Sequence, residues 1–223
     1  MSSISNIAIS TTMPQDLALK IGISGINEIL LVFWAGLNCL KKDSDVYINP
    51  TTEEDDITLA WYQKIQLIWD SRNRATTICL NNLQPIHQYP DNTMKKKKGK
   101  KAPTIDFCFK DWQTSNSYFG AECKNLYKND KTKIKRYVET GVENFTSGRY
   151  GSESSENSII GYILSGDIPT IVQALITEIS TTAPISNLLR EMKYTEPQYK
   201  SIHLQKLDNK DIVLHHLFFD FVN

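Results

Sequence analysis

The spacing of apolar residues predicts helices in the first third of the chain. From Pro14 to about Leu40, apolar side chains recur mostly at intervals of three or four residues, and Gly22 and Gly25 could split this helix into two pieces. A second helix is predicted after Pro50, with four residues on one apolar stripe: Ile57, Trp61, Ile65 and Ile68. Residues 1–13 lack such a period, and we predict an N-terminal tail there.

The middle of the chain has the composition of β-strands. Residues 104–110 (TIDFCFK) and 118–124 (YFGAECK) are rich in β-branched and aromatic residues, and the turn-forming residues between them predict a β-hairpin. Residues 76–80 (TTICL) are predicted to form an earlier strand, and residues 84–103 a long loop. The pattern therefore places a sheet after the two helices.

A helix and another strand are predicted after the hairpin. Residues 129–145 carry an apolar stripe at helical spacing, and residues 158–164 (SIIGYIL) form a nearly continuous apolar run of buried-strand length. A strand, a crossover helix and a second strand in this order predict that the two strands lie parallel.

The last quarter of the chain predicts two more helices and a second hairpin. The helices are expected at residues 167–179 and 186–193. Strands are expected at residues 199–207 and 212–221, with a turn at Asp208-Asn209.

His203 and His215 lie on the two strands of this second hairpin, and they could face each other across it, depending on the register. A pair of histidines could bind a metal, but zinc sites usually have three or four ligands and the sequence shows no third. Core or hydrogen-bonding roles are therefore favoured for both.

Composition is that of an ordinary folded protein. The chain has 223 residues, of which 40% are hydrophobic and 22% charged, and its net charge is zero. Six of the 25 basic residues fall within residues 95–101, so the rest of the chain has 19 basic and 25 acidic residues. The four cysteines show no CxxC spacing, which favours reduced thiols in an intracellular protein.

The sequence predicts neither a signal peptide nor a membrane span. The first twelve residues are rich in Ser and Thr and lack a charged segment followed by an apolar one. The most apolar run, Ile29 to Leu37, is shorter than the roughly 20 residues that cross a membrane. We therefore expect a cytoplasmic protein without a membrane partner.

The first hairpin carries the candidate chemistry. Side chains alternate between the two faces of a strand, so Glu122 and Lys124 share a face. If the hairpin is centred near Thr114, Asp106 lies opposite Glu122 on that face. Two carboxylates and one amine would then meet on a small patch of the sheet, an arrangement typical of a binding site.

An Asp on one strand, a turn, and Glu-X-Lys on the next strand resemble the PD-(D/E)XK nuclease superfamily, which has the restriction-endonuclease-like fold. The residues that carry the match are Asp106, Glu122, Cys123 and Lys124. In that family a proline usually stands directly before the Asp, whereas Ile105 stands there in this chain.

The resemblance covers residues 51–166 and implies an α/β fold, a mixed β-sheet flanked by helices. Residues 1–50 would then form a tail and a helix packed on this core. Residues 167–223 would form a helical and β-hairpin extension of the same domain.

The resemblance also implies roles for individual residues. Asp106, Glu122 and the backbone carbonyl of Cys123 would hold Mg²⁺ or Mn²⁺, and Lys124 would orient the attacking water and stabilise the transition state. Glu54 would be a third acid of the site, because many members carry an acidic residue on the helix before the sheet. The alternative for Glu54 is a capping box with Thr51, in which its side chain bonds the start of its own helix.

The function implied is a Mg²⁺-dependent endonuclease that hydrolyses DNA, within a prokaryotic restriction or anti-phage defence system. The absence of a recognition motif suggests a partner protein, and a homodimer is a further expectation because restriction-like nucleases often act as dimers. The alternative is a catalytically silent nucleic-acid-binding or assembly module of the same fold, acting with a partner protein. RNA is a less favoured substrate, because no aromatic-rich RNA-binding strand is present.

Basic residues near the proposed site are expected to contact phosphates by releasing counterions. The alternative for the lysine run is a solubilising surface loop. The predicted nucleic-acid-binding residues are Lys95, Lys96, Lys97, Lys98, Lys100, Lys101, Lys133 and Arg136.

Overall fold

The computed structural model describes residues 16–72, 80–92, 102–111, 116–182 and 188–222. Within these ranges the helices are α1 (Leu17–Lys42), α2 (Glu54–Ser71), α3 (residues 131–146) and α4 (Ile168–Thr182). The strands are β1 (Leu83–Pro90), β2 (Thr104–Asp111), β3 (Tyr118–Leu126), β4 (Glu156–Ile163), β5 (Leu189–Arg190), β6 (Gln198–Gln205) and β7 (Lys210–Asp220). The predicted tail and the lysine run lie outside the described residues.

The seven strands form one open, mixed sheet in the order β1-β2-β3-β4-β7-β6-β5. Strand β4 lies at its centre and is parallel to both neighbours, β3 and β7, while the other neighbouring pairs are antiparallel. The predicted crossover from β3 through α3 to a parallel β4 is confirmed. The chain is therefore a mixed α/β protein, and its C-terminal strands extend the same sheet.

Helices α1 and α2 pack on aromatic side chains of the sheet. The ring centre of Phe33 on α1 lies 4.9 Å from that of Trp61 on α2 and 5.6 Å from that of Phe107 on β2. Aromatic side chains bury the largest areas, so these contacts fix both helices on one face of the sheet. Helix α1 kinks at Gly22, where φ is +64°, a conformation that glycine adopts readily. The expected division of this helix is confirmed at Gly22, whereas Gly25 lies inside the helix.

Helix α1 is long and apolar enough to span a membrane by length and composition alone. Its most apolar 18-residue window has a mean hydropathy of 1.6, and 56% of that window is buried inside the fold. The prediction made from residues 29–37 underestimated this segment, because the helix continues at both ends of that run. Its packing against Trp61 and Phe107 is that of a core helix.

Helices α3 and α4 pack over the other apolar cluster of the sheet. Asp130 caps α3 by accepting the backbone N–H of Lys133 at 3.0 Å, and a π-helical turn over Tyr137–Val142 follows the first turns. The predicted apolar stripe of α3 is buried, as are the inward residues of α4. These residues are Ile134, Tyr137, Val138, Val142 and Phe145 on α3, and Ile171, Leu175 and Ile179 on α4.

The predicted long loop at residues 84–103 is partly wrong, because strand β1 occupies Leu83–Pro90 and pairs antiparallel with β2. Its prolines argued against a strand in the sequence. An edge strand nevertheless tolerates proline, because one side of its backbone forms no hydrogen bonds with another strand. The strand predicted at residues 76–80 falls almost wholly on residues 73–79, outside the described part of the chain.

The helix predicted at residues 186–193 is also wrong for the residues that the structure describes. Leu189–Arg190 forms the short strand β5, which pairs with β6, and a turn follows. The tertiary pairing with β6 overrides the local preference. The second hairpin is confirmed, with Asn209 in the left-handed conformation of a tight turn (φ +53°).

The two C-terminal histidines do not face each other. The register pairs His203 with Ile212 and Lys200 with His215, so the two rings lie on opposite faces of the sheet. Ser201 Oγ lies 2.7 Å from His203 Nε2, a contact in the α3 and α4 half of the core. Hydrogen-bonding roles are therefore confirmed for these histidines.

A separate group of residues, here called the histidine cluster, consists of Glu156, Glu191 and His215. Nε2 of His215 lies 2.8 Å from Glu156 Oε2, and Nδ1 lies 3.6 Å from Glu191 Oε2. The imidazole is buried between two carboxylates on the face that α1 covers.

Candidate functional site

The first hairpin brings the predicted carboxylates and lysine together. Phe107 pairs with Ala121, so the hairpin is centred at residue 114, as expected. The next position along places Asp106 opposite Glu122. Nζ of Lys124 lies 2.8 Å from Glu122 Oε1 and 4.0 Å from Asp106 Oδ2. We call Glu54, Asp106, Glu122 and Lys124 the acidic centre.

Backbone groups of Cys123 hold two of these side chains. Asp106 Oδ2 accepts the N–H of Cys123 at 2.7 Å, and the Lys124 ammonium donates to the carbonyl of Cys123 at 2.5 Å. The side chains of Glu122 and Lys124 are only 6% and 5% exposed, and that of Asp106 is 22% exposed. Charged groups with so little contact with water must be paired, which explains the close contacts.

Glu54 lies in the first turn of α2 and completes the centre. Its Oε1 lies 3.1 Å from Nζ of Lys124, and its Oε2 accepts the N–H of Asn125 at 3.0 Å. The capping-box alternative is excluded, because the helix cap is Glu53 and makes no side-chain cap bond. Glu54 instead reaches from the helix to the end of β3, and this brings a third carboxylate to the lysine.

A network of polar contacts links the start of α2 at Glu54 to Cys123 of β3. Thr58 Oγ1 donates to the carbonyl of Glu54 at 2.8 Å and lies 3.0 Å from the hydroxyl of Tyr162, which lies 3.2 Å from Cys123 Sγ. Burial raises the pKa of the Cys123 thiol well above its usual range, so this cysteine is an inert packing group. Sequence reasoning missed Thr58, Tyr162 and Asn125. The position of Thr58, one turn after Glu54, was a usable signal.

Negative charge exceeds positive charge in the acidic centre. Burial raises the pKa of Glu122 to about 8 and that of Asp106 to about 6, although Lys124 acts to lower both. Burial acts to lower the pKa of Lys124, but its three carboxylates outweigh this and raise it. The ammonium therefore stays charged at neutral pH, while one carboxyl group can retain a proton.

The oxygen atoms of the centre suit a divalent cation. The carboxylates of Glu54, Asp106 and Glu122 and the carbonyl of Cys123 are the ligand types that Mg²⁺ and Mn²⁺ prefer. Oε2 of Glu122 is buried and has no hydrogen-bond partner among the residues that the structure describes, which is costly unless something else binds it. In the part of the chain described here, no three acidic, histidine or cysteine side chains form a ready-made metal site. The residues fit a cation if the ammonium of Lys124 moves off the oxygens that it contacts.

The predicted basic residues do not enter this centre where the structure describes them. Lys133 and Arg136 lie on α3, with Arg136 exposed, and Nζ of Lys133 lies 5.7 Å from the ring centre of Tyr127. The other six predicted lysines, within residues 95–101, fall outside the described ranges. The two described residues add positive charge to α3 rather than to the carboxylates.

The fold and the site together define a mixed α/β protein with a buried, acid-rich centre at the end of a hairpin. Comparison of the chain with protein-family models, with curated proteins and with solved structures gave no match.

Proposed function

We propose that this protein is a metal-dependent nuclease of the PD-(D/E)XK type that hydrolyses phosphodiester bonds in DNA. The single observation that carries the proposal is the convergence of Glu54, Asp106 and Glu122 on Lys124, with an unpartnered buried oxygen on Glu122. A cluster that serves stability gains most when its charges are balanced, whereas this one keeps an excess of carboxylates.

The order of elements around the centre also supports the proposal. The hairpin of β2 and β3, the helix α3 and the parallel strand β4 follow one another as the resemblance to the restriction-endonuclease-like fold implies. Within this arrangement the acids stand on β2, β3 and α2, three separate elements that the sheet and its packing hold in fixed positions.

Each residue of the centre then has a part in the reaction. Asp106, Glu122, the Cys123 carbonyl and Glu54 would hold the cation, which supplies Lewis-acid polarisation of a phosphoryl oxygen and lowers the pKa of a bound water. Lys124 stays protonated, so it donates hydrogen bonds to the attacking water or to the developing negative charge and does not act as a base. The carboxyl of Glu122 can hold a proton until a cation replaces it.

Incubation of the purified protein with supercoiled plasmid tests the proposal. We expect loss of supercoiled DNA with Mg²⁺ or Mn²⁺ and none with a chelator. Asp106→Asn and Lys124→Ala should each lower the cleavage rate by at least about 100-fold, because each removes a group that stabilises charge in the transition state. Lys193→Ala, which changes a lysine paired with Glu191 in the β5–β6 turn, is the matched control. Metal-dependent cleavage that survives in both site variants would refute the assignment.

A second function is favoured by one observation. The ammonium of Lys124 already contacts Glu54, Glu122 and the Cys123 carbonyl, the oxygens that a cation would need. A silent nucleic-acid-binding or assembly module would keep this closed ion cluster as a structural feature. Binding of plasmid without cleavage, equal with metal and with chelator, would favour this second function.

A further inference from the structure

A groove opens between α3 and α4. Its volume is about 460 Å³, within the range of pockets that hold small molecules. Buried Ile134 of α3 and Ile171 of α4 provide apolar lining, and Tyr127, just after β3, contributes an aromatic ring. The groove thus offers a ring and apolar walls to a flat ligand.

Charged groups are arranged in two sets around this groove. Glu178 lines it from α4, and its carboxylate can accept hydrogen bonds from an amino group. Asp130 lines it as well, but its carboxylate already accepts the backbone N–H of Lys133. Lys131 also lines it, the ammonium of Lys133 lies over the Tyr127 ring at 5.7 Å from its centre, and Lys128 is exposed just before the α3 cap. The carboxylate of Glu178 inside the groove and the lysines around the groove complement a ligand that carries an amino group and flanking phosphates.

A short run of the chain connects the groove to the acidic centre. Tyr127 follows Lys124 by three residues, and its hydroxyl donates to the carbonyl of Pro50 at 3.0 Å. Between them, Asn125 donates its backbone N–H to Glu54 and its side-chain amide to the carbonyl of Thr52. The segment before α2 therefore contacts Tyr127 of the groove and also Asn125, which in turn contacts Glu54 of the acidic centre.

We propose that the groove binds one amino-bearing nucleobase of single-stranded DNA. The base displaces the Lys133 ammonium from the Tyr127 ring and stacks there, and its exocyclic amino group donates to Glu178. Lys128, Lys131 and the displaced Lys133 contact the flanking phosphates. The inference rests on the proposed function for the identity of the polymer. It adds that the substrate must present an unpaired base beside the phosphate that reaches the acidic centre.

Two tryptophan substitutions on α4 test this inference. Ala174 is exposed and lines the groove, so Ala174→Trp fills the groove with little effect on folding. Gln173 is equally exposed but lies outside the groove lining, so Gln173→Trp is the matched control. Thermal melting should show that both variants are as stable as the wild type.

Fluorescence anisotropy with a labelled hexadeoxyadenylate, in chelator, measures binding without cleavage. We expect Ala174→Trp to weaken binding by about tenfold, the contribution of one stacked base, and Gln173→Trp to leave it unchanged. An abasic hexamer should bind the wild type about as weakly as hexadeoxyadenylate binds Ala174→Trp. Equal affinity of the two hexamers for the wild type, unchanged binding by Ala174→Trp, or no binding at all would overturn the base pocket.

Plasmid cleavage is scored separately, so the two proposals can fail independently. If hexamer binding depends on Ala174 but no metal-dependent cleavage occurs, the base pocket stands and the nuclease assignment falls. If cleavage occurs but the two hexamers bind equally, the nuclease stands and the base pocket falls.

Discussion

The acidic centre and the histidine cluster are built from similar parts. In each, carboxylates from different elements surround one basic side chain that is almost completely buried, Lys124 in the first and His215 in the second. Both lie in the same sheet, and β4 contributes to one while its neighbour β3 contributes to the other.

The pKa values of the glutamates are nevertheless shifted in opposite directions in the two clusters. Burial acts to raise the pKa of Glu191, but the nearby His215 imidazole, the hydrogen bond from Gln198 and the charge of Lys193 together lower it to about 2. The pKa of Glu156 is also lowered: burial acts to raise it, but the hydrogen bond from His215 and the positive charges of His215 and Lys200 together outweigh burial. In the acidic centre, burial dominates and raises the pKa of Glu122 to about 8.

The difference is clearest between Glu191 and Glu122, in how many partners each carboxylate has. Glu191 lies 3.6 Å from the His215 imidazole, accepts a hydrogen bond from Gln198 and lies 3.7 Å from Lys193, so three polar groups offset its charge. In the acidic centre a single ammonium serves three carboxylates, and one oxygen of Glu122 has no partner. A balanced cluster stabilises the fold, whereas an unbalanced one stores free energy that a bound cation can release. This contrast separates a structural cluster from a candidate site more sharply than residue types do.

Replacing Glu122 with Gln should have the largest effect on the difference between the two clusters. We expect metal-dependent cleavage to fall by at least about 10³-fold, because a cation ligand is lost. The same variant should unfold less readily than the wild type at pH 8, by roughly 1–2 kcal/mol, because a buried charge is removed. Plasmid cleavage and urea denaturation at pH 8 measure the two effects.

Glu191→Gln is the control for this variant, since it makes the same chemical change in the histidine cluster. It should leave cleavage unchanged and lower stability. A Glu122→Gln protein that is less stable than the wild type at pH 8 would mean that Glu122 is compensated like Glu191, and the contrast would disappear.

Replacing His215 with Ala should produce the next largest effect, this time on stability. Two carboxylates that share the imidazole would lose their main partner inside the fold. We expect the free energy of unfolding to fall by about 2–4 kcal/mol, the usual result of removing one member of a buried ion pair. Urea denaturation at pH 6.5 measures the loss.

His87→Ala is the matched control, because His87 is only partly buried and stacks on Tyr62 without an acidic partner in hydrogen-bond contact. It should cost much less than His215→Ala. Equal losses in the two variants would show that ring packing, and not charge, accounts for the effect of His215.

The sequence was sufficient to predict the acidic centre but not the histidine cluster. Asp106, Glu122 and Lys124 lie on one hairpin, and the parity of strand residues together with a central turn determines which of them share a face. The role of Glu54 was ambiguous, because a helix cap and a site acid would both place an acidic residue in the first turn of α2. The contacts of the Glu54 side chain with Lys124 and Asn125 decide for the site role.

The remaining features depend on contacts between distant segments. Glu156, Glu191 and His215 come from three strand regions whose order in the sheet, β4-β7-β6-β5, cannot be read from local patterns. Strand β1 was missed for the opposite reason, since its prolines argue locally against a strand that an edge position permits. Local patterns thus predicted the helices and the hairpin strands well. They failed for strands such as β1 and β5, whose conformation depends on pairing with another strand.

The pH dependence of stability should distinguish the two clusters, because Glu191 and Glu122 contribute to it with opposite signs. This effect is smaller than those of the substitutions above. The pKa of Glu191 is lowered in the folded protein, so its contribution to stability is present above the unfolded value near 4.3 and is lost as the pH falls toward 2. The pKa of Glu122 is raised, so the folded state binds more protons than the unfolded state, and its penalty grows as the pH rises from about 4.5 toward 8.

Stability measured by urea denaturation from pH 4 to 8 therefore gives opposite trends for two isosteric variants. Glu191→Gln should be less stable than the wild type by about 1 kcal/mol at pH 6, with the deficit shrinking toward pH 4, since partial contact with solvent limits the effect. Glu122→Gln should match the wild type at pH 4 and exceed it increasingly toward pH 8. Curves that diverge from the wild type with the same sign would show that both clusters are compensated alike, and the case for a cation at the acidic centre would lose its electrostatic basis.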